Sequence, residues 1–388
     1  MYKGSMKKVI YINIEPLTKQ IFRNFFIKEL LQNGIEVEYW DMSGLYSHDF
    51  AITDSISSDI IVKIHHKNEV TKKINCEDVE DTIFIPSSPY EWDSLWLYRL
   101  FLNNRCYIAF FGRGALPFPK RKNGISRIVQ RVREKEIVHL WKGFLNKCAV
   151  YLRGKGMAKK YDVVFAAGRK EIEQNKNESQ IIEVNHLDYD HFLSLKGDAT
   201  KLVKGRYAVF LDNNMPYHPD WNILKMRTIN ADDYFRGVNR FFEMVEKKWG
   251  VRVVIAAHPT SDYKQSIYHG REMFKYKTNE LVKDCDFVLS HITTSVSFSV
   301  LYEKPVLFLC SNEMKTDGPG WVFPFIENLA KVVGGEVYNV DDIYSEDHIM
   351  LPTVDPGKYK KYKYDYLTSP KSENCFTKDV FLDFLRTD

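Results

Sequence analysis

Three short apolar runs in the second half of this 388-residue chain end in side chains that can handle a proton or an anion. Val251–Ala257 runs into His258-Pro259, and Asp286–Leu289 runs into Ser290, His291, Thr293, Thr294 and Ser295. Tyr207–Leu211 runs into Asp212-Asn213-Asn214. An imidazole at a strand end can donate a hydrogen bond, or a charge when protonated, to a phosphate. Hydroxyls at a helix start add to its free N–H groups and dipole to form an anion cradle. A carboxylate ending a first strand can take a proton from an attacking hydroxyl, the task of a general base.

Each of these residues also has a plain structural reading. Ser and Thr cap helices, Asp and Asn form turns, and a histidine can satisfy a neighbouring carbonyl. Four hydroxyls within six positions exceed what one cap requires, which favours phosphate binding there. His218 and Asp220 stand in reserve beside Asp212. Earlier in the chain, Gly112-Arg113-Gly114 follows a strand-like run, where glycine lets backbone approach a ligand and Arg113 can meet an anionic substrate. A simple turn explains that tripeptide equally well. Asp232-Asp233 opens a helical pattern and reads as capping rather than a metal pair.

These groups need a scaffold that delivers strand ends to one edge. Strands are predicted at 8–13, 35–42, 59–64, 81–85, 106–111, 162–167 and 180–184, with one helix over 17–33. After a polar stretch at 188–205, strands at 207–211, 251–257, 286–289 and 306–309 alternate with helices at 233–249, 279–283 and 293–302. Strand–helix alternation implies an α/β fold of parallel sheets. The expected organisation is a Rossmann-like acceptor-side domain over 6–187, a linker over 188–205 and a nucleotide-binding domain over 206–375. A terminal helix over 376–388 would pack back on the first domain. The two doubly wound domains would face a cleft.

Composition narrows the function classes. Hydrophobic content of 44% and charged content of 27% suit a globular protein, and a net charge of +4 argues against a nucleic-acid partner. No apolar run approaches the roughly 20 residues that span a bilayer, and the run after Lys7 and Lys8 is too short for a signal peptide. Six scattered cysteines predict reduced thiols in the cytoplasm. Neither G-x-G-x-x-G nor G-x-x-x-x-G-K-[ST] occurs, and no ligand set has metal-binding spacing, so no cofactor and no metal is expected. Between Lys120 and Lys160, thirteen Lys or Arg face two acids, Glu134 and Glu136. With Ile, Val, Leu, Trp and Phe interleaved, 120–160 suits an anionic membrane surface or a solvated domain helix.

In order and approximate spacing, Asp212, His258-Pro259 and Thr293-Thr294-Ser295 resemble the motifs of bacterial glycosyltransferases of the GT-B type. The likeness covers Tyr207 to Leu309 and is nearest to the sialyltransferase and ulosonic-acid transferase families. The resemblance implies a GT-B fold, Asp212 as base, His258 and Pro259 at the CMP phosphate, and the Ser/Thr motif completing that site. It departs at Asp212-Asn213-Asn214, where those families carry two acids and a glycine. Residues 281–306 also resemble CDP-glycerol polymerases of teichoic acid assembly and UDP-sugar 2-epimerases. The implied function is inverting, metal-independent transfer from a nucleotide-activated sugar, CMP-linked by preference, to a surface-glycan or lipid-linked acceptor. CDP-polyol phosphotransfer, UDP-sugar transfer or epimerisation, and a non-catalytic assembly role are the rivals.

Overall fold

The computed structural model describes residues 6–45, 55–119, 137–218, 221, 227–316, 322–342 and 344–387. The chain forms two compact units. The first comprises residues up to 113, 121–184 and 371–388, and the second comprises 114–120 and 185–370. Residues 185–187 thus belong with the second unit. Helix Leu187–Ser194 occupies part of the stretch predicted as a linker.

The first unit carries seven strands, β1 (Lys8–Asn13), β2 (Glu36–Asp41), β3 (Ile61–Lys63), β4 (Thr82–Pro86), β5 (Tyr107–Gly112), β6 (Val163–Ala167) and β7 (Ile181–Val184). Their order is β3-β2-β1-β4-β5-β6-β7, and neighbouring strands pair in parallel. The second unit carries β8 (Tyr207–Leu211), β9 (Arg252–Ala257), β10 (Met273–Lys275), β11 (Phe287–Ser290), β12 (Val306–Cys310) and β13 (Glu336–Asn339). These pair in parallel in the order β10-β9-β8-β11-β12-β13. Strands covered on both faces need apolar side chains at every position, not at alternate ones. All five residues of β8 and of β12 are buried accordingly.

The chain crosses from one side of each sheet to the other between β1 and β4 and between β8 and β11. In doubly wound folds the crevice outside the strand carboxyl ends at such a point is the ligand-binding edge. The loops that follow β8 and β11 therefore occupy the strategic position in the second unit.

Helix Ala231–Trp249 shows how local sequence sets an element. Asn230 caps it by accepting from Asp233 N at 3.0 Å, and Gly250 ends it at φ +60°. Tyr234, Val238, Phe241, Phe242 and Val245 form its buried stripe. The cap is Asn230, upstream of the acidic pair expected to supply it.

The predicted helix over 17–33 is instead two, Lys19–Asn24 and Ile27–Gln32, because Phe26 adopts a left-handed conformation at φ 58°. At that break the Tyr11 hydroxyl donates to the Phe25 carbonyl at 2.6 Å. The C-terminal helix Thr377–Arg386 contributes Phe381, Leu382 and Leu385 to a first-unit core that also contains Val9, Tyr11 and Phe165.

Candidate functional site

Asp212 follows the last residue of β8 and is 6% exposed. Its Oδ1 lies 3.0 Å from Asn214 N, 3.1 Å from the Tyr268 hydroxyl and 3.2 Å from the Tyr263 hydroxyl. Its Oδ2 accepts from His258 N at 3.1 Å. Burial raises the Asp212 pKa above the usual carboxylate value, and the four donors pull it back down. Burial and the same carboxylate keep both phenols protonated. The single Tyr263 O–H is shared with Asn214 Oδ1 at 2.9 Å. Asn214 holds φ 52°, a conformation asparagine tolerates better than most residues.

His258 follows β9 and is half-buried. Its Nδ1 lies 2.8 Å from Thr260 Oγ1 and accepts the Thr260 main-chain N–H at 3.3 Å. A backbone N–H can only donate, so the neutral imidazole carries its proton on Nε2. His258 is thereby set as a hydrogen-bond donor. The His218 ring lies 5.4 Å away, tilted by 62°. Asp220 lies outside the described residues.

Across the crossing point, Asn213 Nδ2 donates to the Ile292 carbonyl and links the chain after β8 to the chain after β11. The hydroxyl cluster divides into separate roles. Ser290 is fully buried and its Oγ has no hydrogen-bond partner. Thr293 Oγ1 accepts from Ser295 N at 3.2 Å, a local turn bond. Thr294 is exposed and Ser295 half-exposed, before the six-residue helix Val296–Leu301. Ser290 is thus sealed from solvent, while Thr293, Thr294 and Ser295 are each at least partly exposed.

His291 has a structural role. It is fully buried, its Nδ1 donates to the Leu309 carbonyl at 2.6 Å, and its Nε2 accepts from the Tyr234 hydroxyl at 2.8 Å. Burial lowers its pKa to about 4 and keeps it neutral.

In the first unit, Arg113 follows β5. It is buried, donates to the Asn24 carbonyl at 3.0 Å and lies over Phe111, with 4.7 Å from guanidinium carbon to ring centroid. Cation–π contacts surround the group, while its Nη1 is buried without a hydrogen-bond partner. A Cβ at Gly112 would come within 2.8 Å of Glu171 Oε2, so the Glu171 carboxylate would have to shift.

The sequence reading missed a cavity of about 910 Å³ at the carboxyl edge of β1–β3, lined by Asp41, Ser43, Ser57, Ser58, Lys63 and His65 among others. It also missed Thr260, Tyr263 and Tyr268, whose only signal was their position within ten residues of His258-Pro259. Among the described residues, no group of three or more His, Cys, Asp or Glu could hold a metal ion. No helix among them is long and apolar enough to cross a membrane.

No protein-family model matches the chain, and no curated protein matches it. Solved structures do. A wall teichoic acid polymerase, TagF, aligns over 98% of this chain and 88% of its own at 10% identity, with a TM-score of 0.50. The Methanocaldococcus jannaschii UDP-GlcNAc 2-epimerase, in complex with UDP-GlcNAc and UDP, aligns over 92% of this chain and 98% of its own at 12% identity, with a TM-score of 0.43. At such identity the first likeness speaks to fold alone. Together with the two parallel sheets and their strand orders, it makes the architecture GT-B, with two Rossmann-like domains.

Proposed function

We propose that the chain is a glycosyltransferase that moves a sugar from a nucleotide-activated donor to a bacterial surface-glycan or lipid-linked acceptor. The observation that carries this reading is the Thr260 main-chain N–H donated to His258 Nδ1, which leaves Nε2 to carry the ring proton, beside the bridged crossing point of a doubly wound sheet. That edge is where such sheets receive nucleotides. A hydrogen-bond donor at that edge suits a departing phosphate, whose negative charge grows as the bond to the sugar breaks.

In the proposed reaction the bond between the sugar's anomeric carbon and the phosphate oxygen breaks, and its electron pair stays on that oxygen. His258 Nε2–H, Thr294 and Ser295 stabilise the charge. The acceptor oxygen bonds the anomeric carbon from the opposite face, with inversion, and His218 takes the acceptor's proton. Asp212 was expected as the base. Its four donors and deep burial support a positioning role, holding the main chain of His258. No step needs a metal. A CMP-linked donor is preferred on the His-Pro and Ser/Thr motif resemblance. A second reading, supported by the likeness of residues 281–306 to CDP-glycerol polymerases, is polyol-phosphate transfer that releases CMP and leaves a phosphodiester.

A thermal-shift panel of CMP, CDP, UDP and GDP with their sugars tests the reading. A ligand at 100 times its Kd stabilises by about 2.7 kcal/mol. His258→Gln should lose that stabilisation and cut turnover about 10²–10³-fold, as loss of one oxyanion donor does. His218→Gln should cut turnover while nucleotide stabilisation stays. No nucleotide response anywhere in the panel would refute the proposal.

A further inference from the structure

Helix Ile137–Gly154 carries large apolar side chains that no described residue covers. Ala149 is buried and Leu152 partly buried in the first-unit core, so one side of the helix is already committed. Trp141, Phe144 and Tyr151 are nevertheless 62%, 54% and 63% exposed. At about 100° per residue these three lie within roughly 80° of one another around the axis, on a single stripe. The Trp141 and Phe144 rings stack at 5.6 Å. Three large aromatic side chains on one exposed stripe are more than scattered surface apolarity.

Charge indicates what covers the stripe. Residues 137–161 contain Lys142, Lys147, Arg153, Lys155, Lys159 and Lys160 and no Asp or Glu. Lys142, Arg153 and Lys159 pair with Asp93, Glu178 and Asp162. Lys147, Lys155 and Lys160 have no ion-pair partner among the described residues. Lys155 lies over the Tyr151 ring at 5.6 Å, so cation and aromatic share the stripe.

We propose that this stripe docks the protein on an anionic lipid bilayer, with Trp141, Phe144 and Tyr151 seated at headgroup depth and the neighbouring lysines on the lipid phosphates. Trp and Tyr favour that depth, where one end of the ring is apolar and the other wet. Lysine is depleted from the cores of protein–protein interfaces but enriched on helices that lie in a membrane surface. The inference is independent of the proposed transferase chemistry. It concerns residues 141–160; residues 120–136, also expected to contribute, lie outside the described residues.

The test is flotation of the full chain with vesicles of phosphatidylcholine plus phosphatidylglycerol, against phosphatidylcholine alone. The protein should float with the anionic vesicles only, and added salt should release it. Trp141→Ala/Phe144→Ala/Tyr151→Ala should reduce binding at least ten-fold. Lys147→Ala should reduce it about five-fold, the share of one lysine at an anionic surface. The replaced side chains are exposed, so Tm should hold, and nucleotide binding in each variant separates this claim from the transferase reading. Lys147→Glu/Lys155→Glu, which leaves the aromatics intact, is the second arm and should also abolish flotation. Three results would overturn the proposal: no binding to anionic vesicles, binding indifferent to the aromatic variant, or an aromatic variant whose only effect is to dissociate a dimer of this chain.

Discussion

The main-chain N–H of His258 donates to Oδ2 of Asp212 across 3.1 Å. Those residues follow neighbouring strands, so one buried carboxylate holds the end of β9 against the end of β8. Its other oxygen gathers Asn214, Tyr263 and Tyr268. The backbone that carries the His258 ring is thereby held from below, while Thr260 orients the ring itself.

Asp212→Asn should expose this dependence. An amide keeps the shape but turns one acceptor into a donor, so it must oppose either the His258 N–H or the three donors on the other side. A hydrogen bond to a charged group contributes about 1.5–3 kcal/mol. The variant should unfold at lower urea by about that amount, with turnover reduced alongside. Equal stability of variant and parent in urea titrations would show that the network carries little.

Thr260→Val should separate ring orientation from backbone support. Thr260 is exposed, so stability should hold. The hydroxyl on His258 Nδ1 is lost, and nucleotide affinity should fall about five-fold, the equivalent of one ordinary hydrogen bond of about 1 kcal/mol. Titration of the nucleotide against both proteins measures it.

Asn213 permits a ranked pair. Asn213→Ala removes the donor to the Ile292 carbonyl and should cost about 1 kcal/mol of stability. Asn213→Asp puts a negative acceptor against that carbonyl and beside the proposed phosphate site. Nucleotide binding should therefore fall further in the Asp variant than in the Ala variant. The reverse order, by calorimetric titration, would place the phosphate elsewhere.

His291 predicts an acid weakness. Its pKa is about 4 when folded, against an ordinary 6.5. Between those values the unfolded chain binds a proton that the folded chain refuses, so stability falls with falling pH. This contribution is complete above pH 6.5 and lost progressively down to pH 4, roughly 3 kcal/mol at about 1.36 kcal/mol per pH unit. Urea midpoints at pH 7, 5.5 and 4.5 should show the slope. His291→Phe should flatten that component, although Tyr234 then loses its acceptor.

The central strands were legible because burial on both faces writes itself into consecutive residues. β8, β9, β11 and β12 are near-continuous apolar runs, and any sequence window contains the signal. From the alternation of these runs with amphipathic helices came the doubly wound fold, and from their polar ends came Asp212 and His258. The outer strands β10 and β13 were not legible: they span only three and four residues, each is partly exposed, and neither carries an apolar run.

Tertiary structure alone decided what each polar group does. Ser290 and Thr294 look alike in sequence, yet one is sealed beneath the sheet edge and the other meets solvent. That three phenylalanine rings surround the Arg113 guanidinium is not written in its neighbours along the chain alone. The four donors on Asp212 come from residues 214, 258, 263 and 268, and Asn213 meets a carbonyl 79 positions away. Such partners are fixed by strand order and register, which depend on contacts across the whole sheet; a strand's burial depends mainly on its own residues.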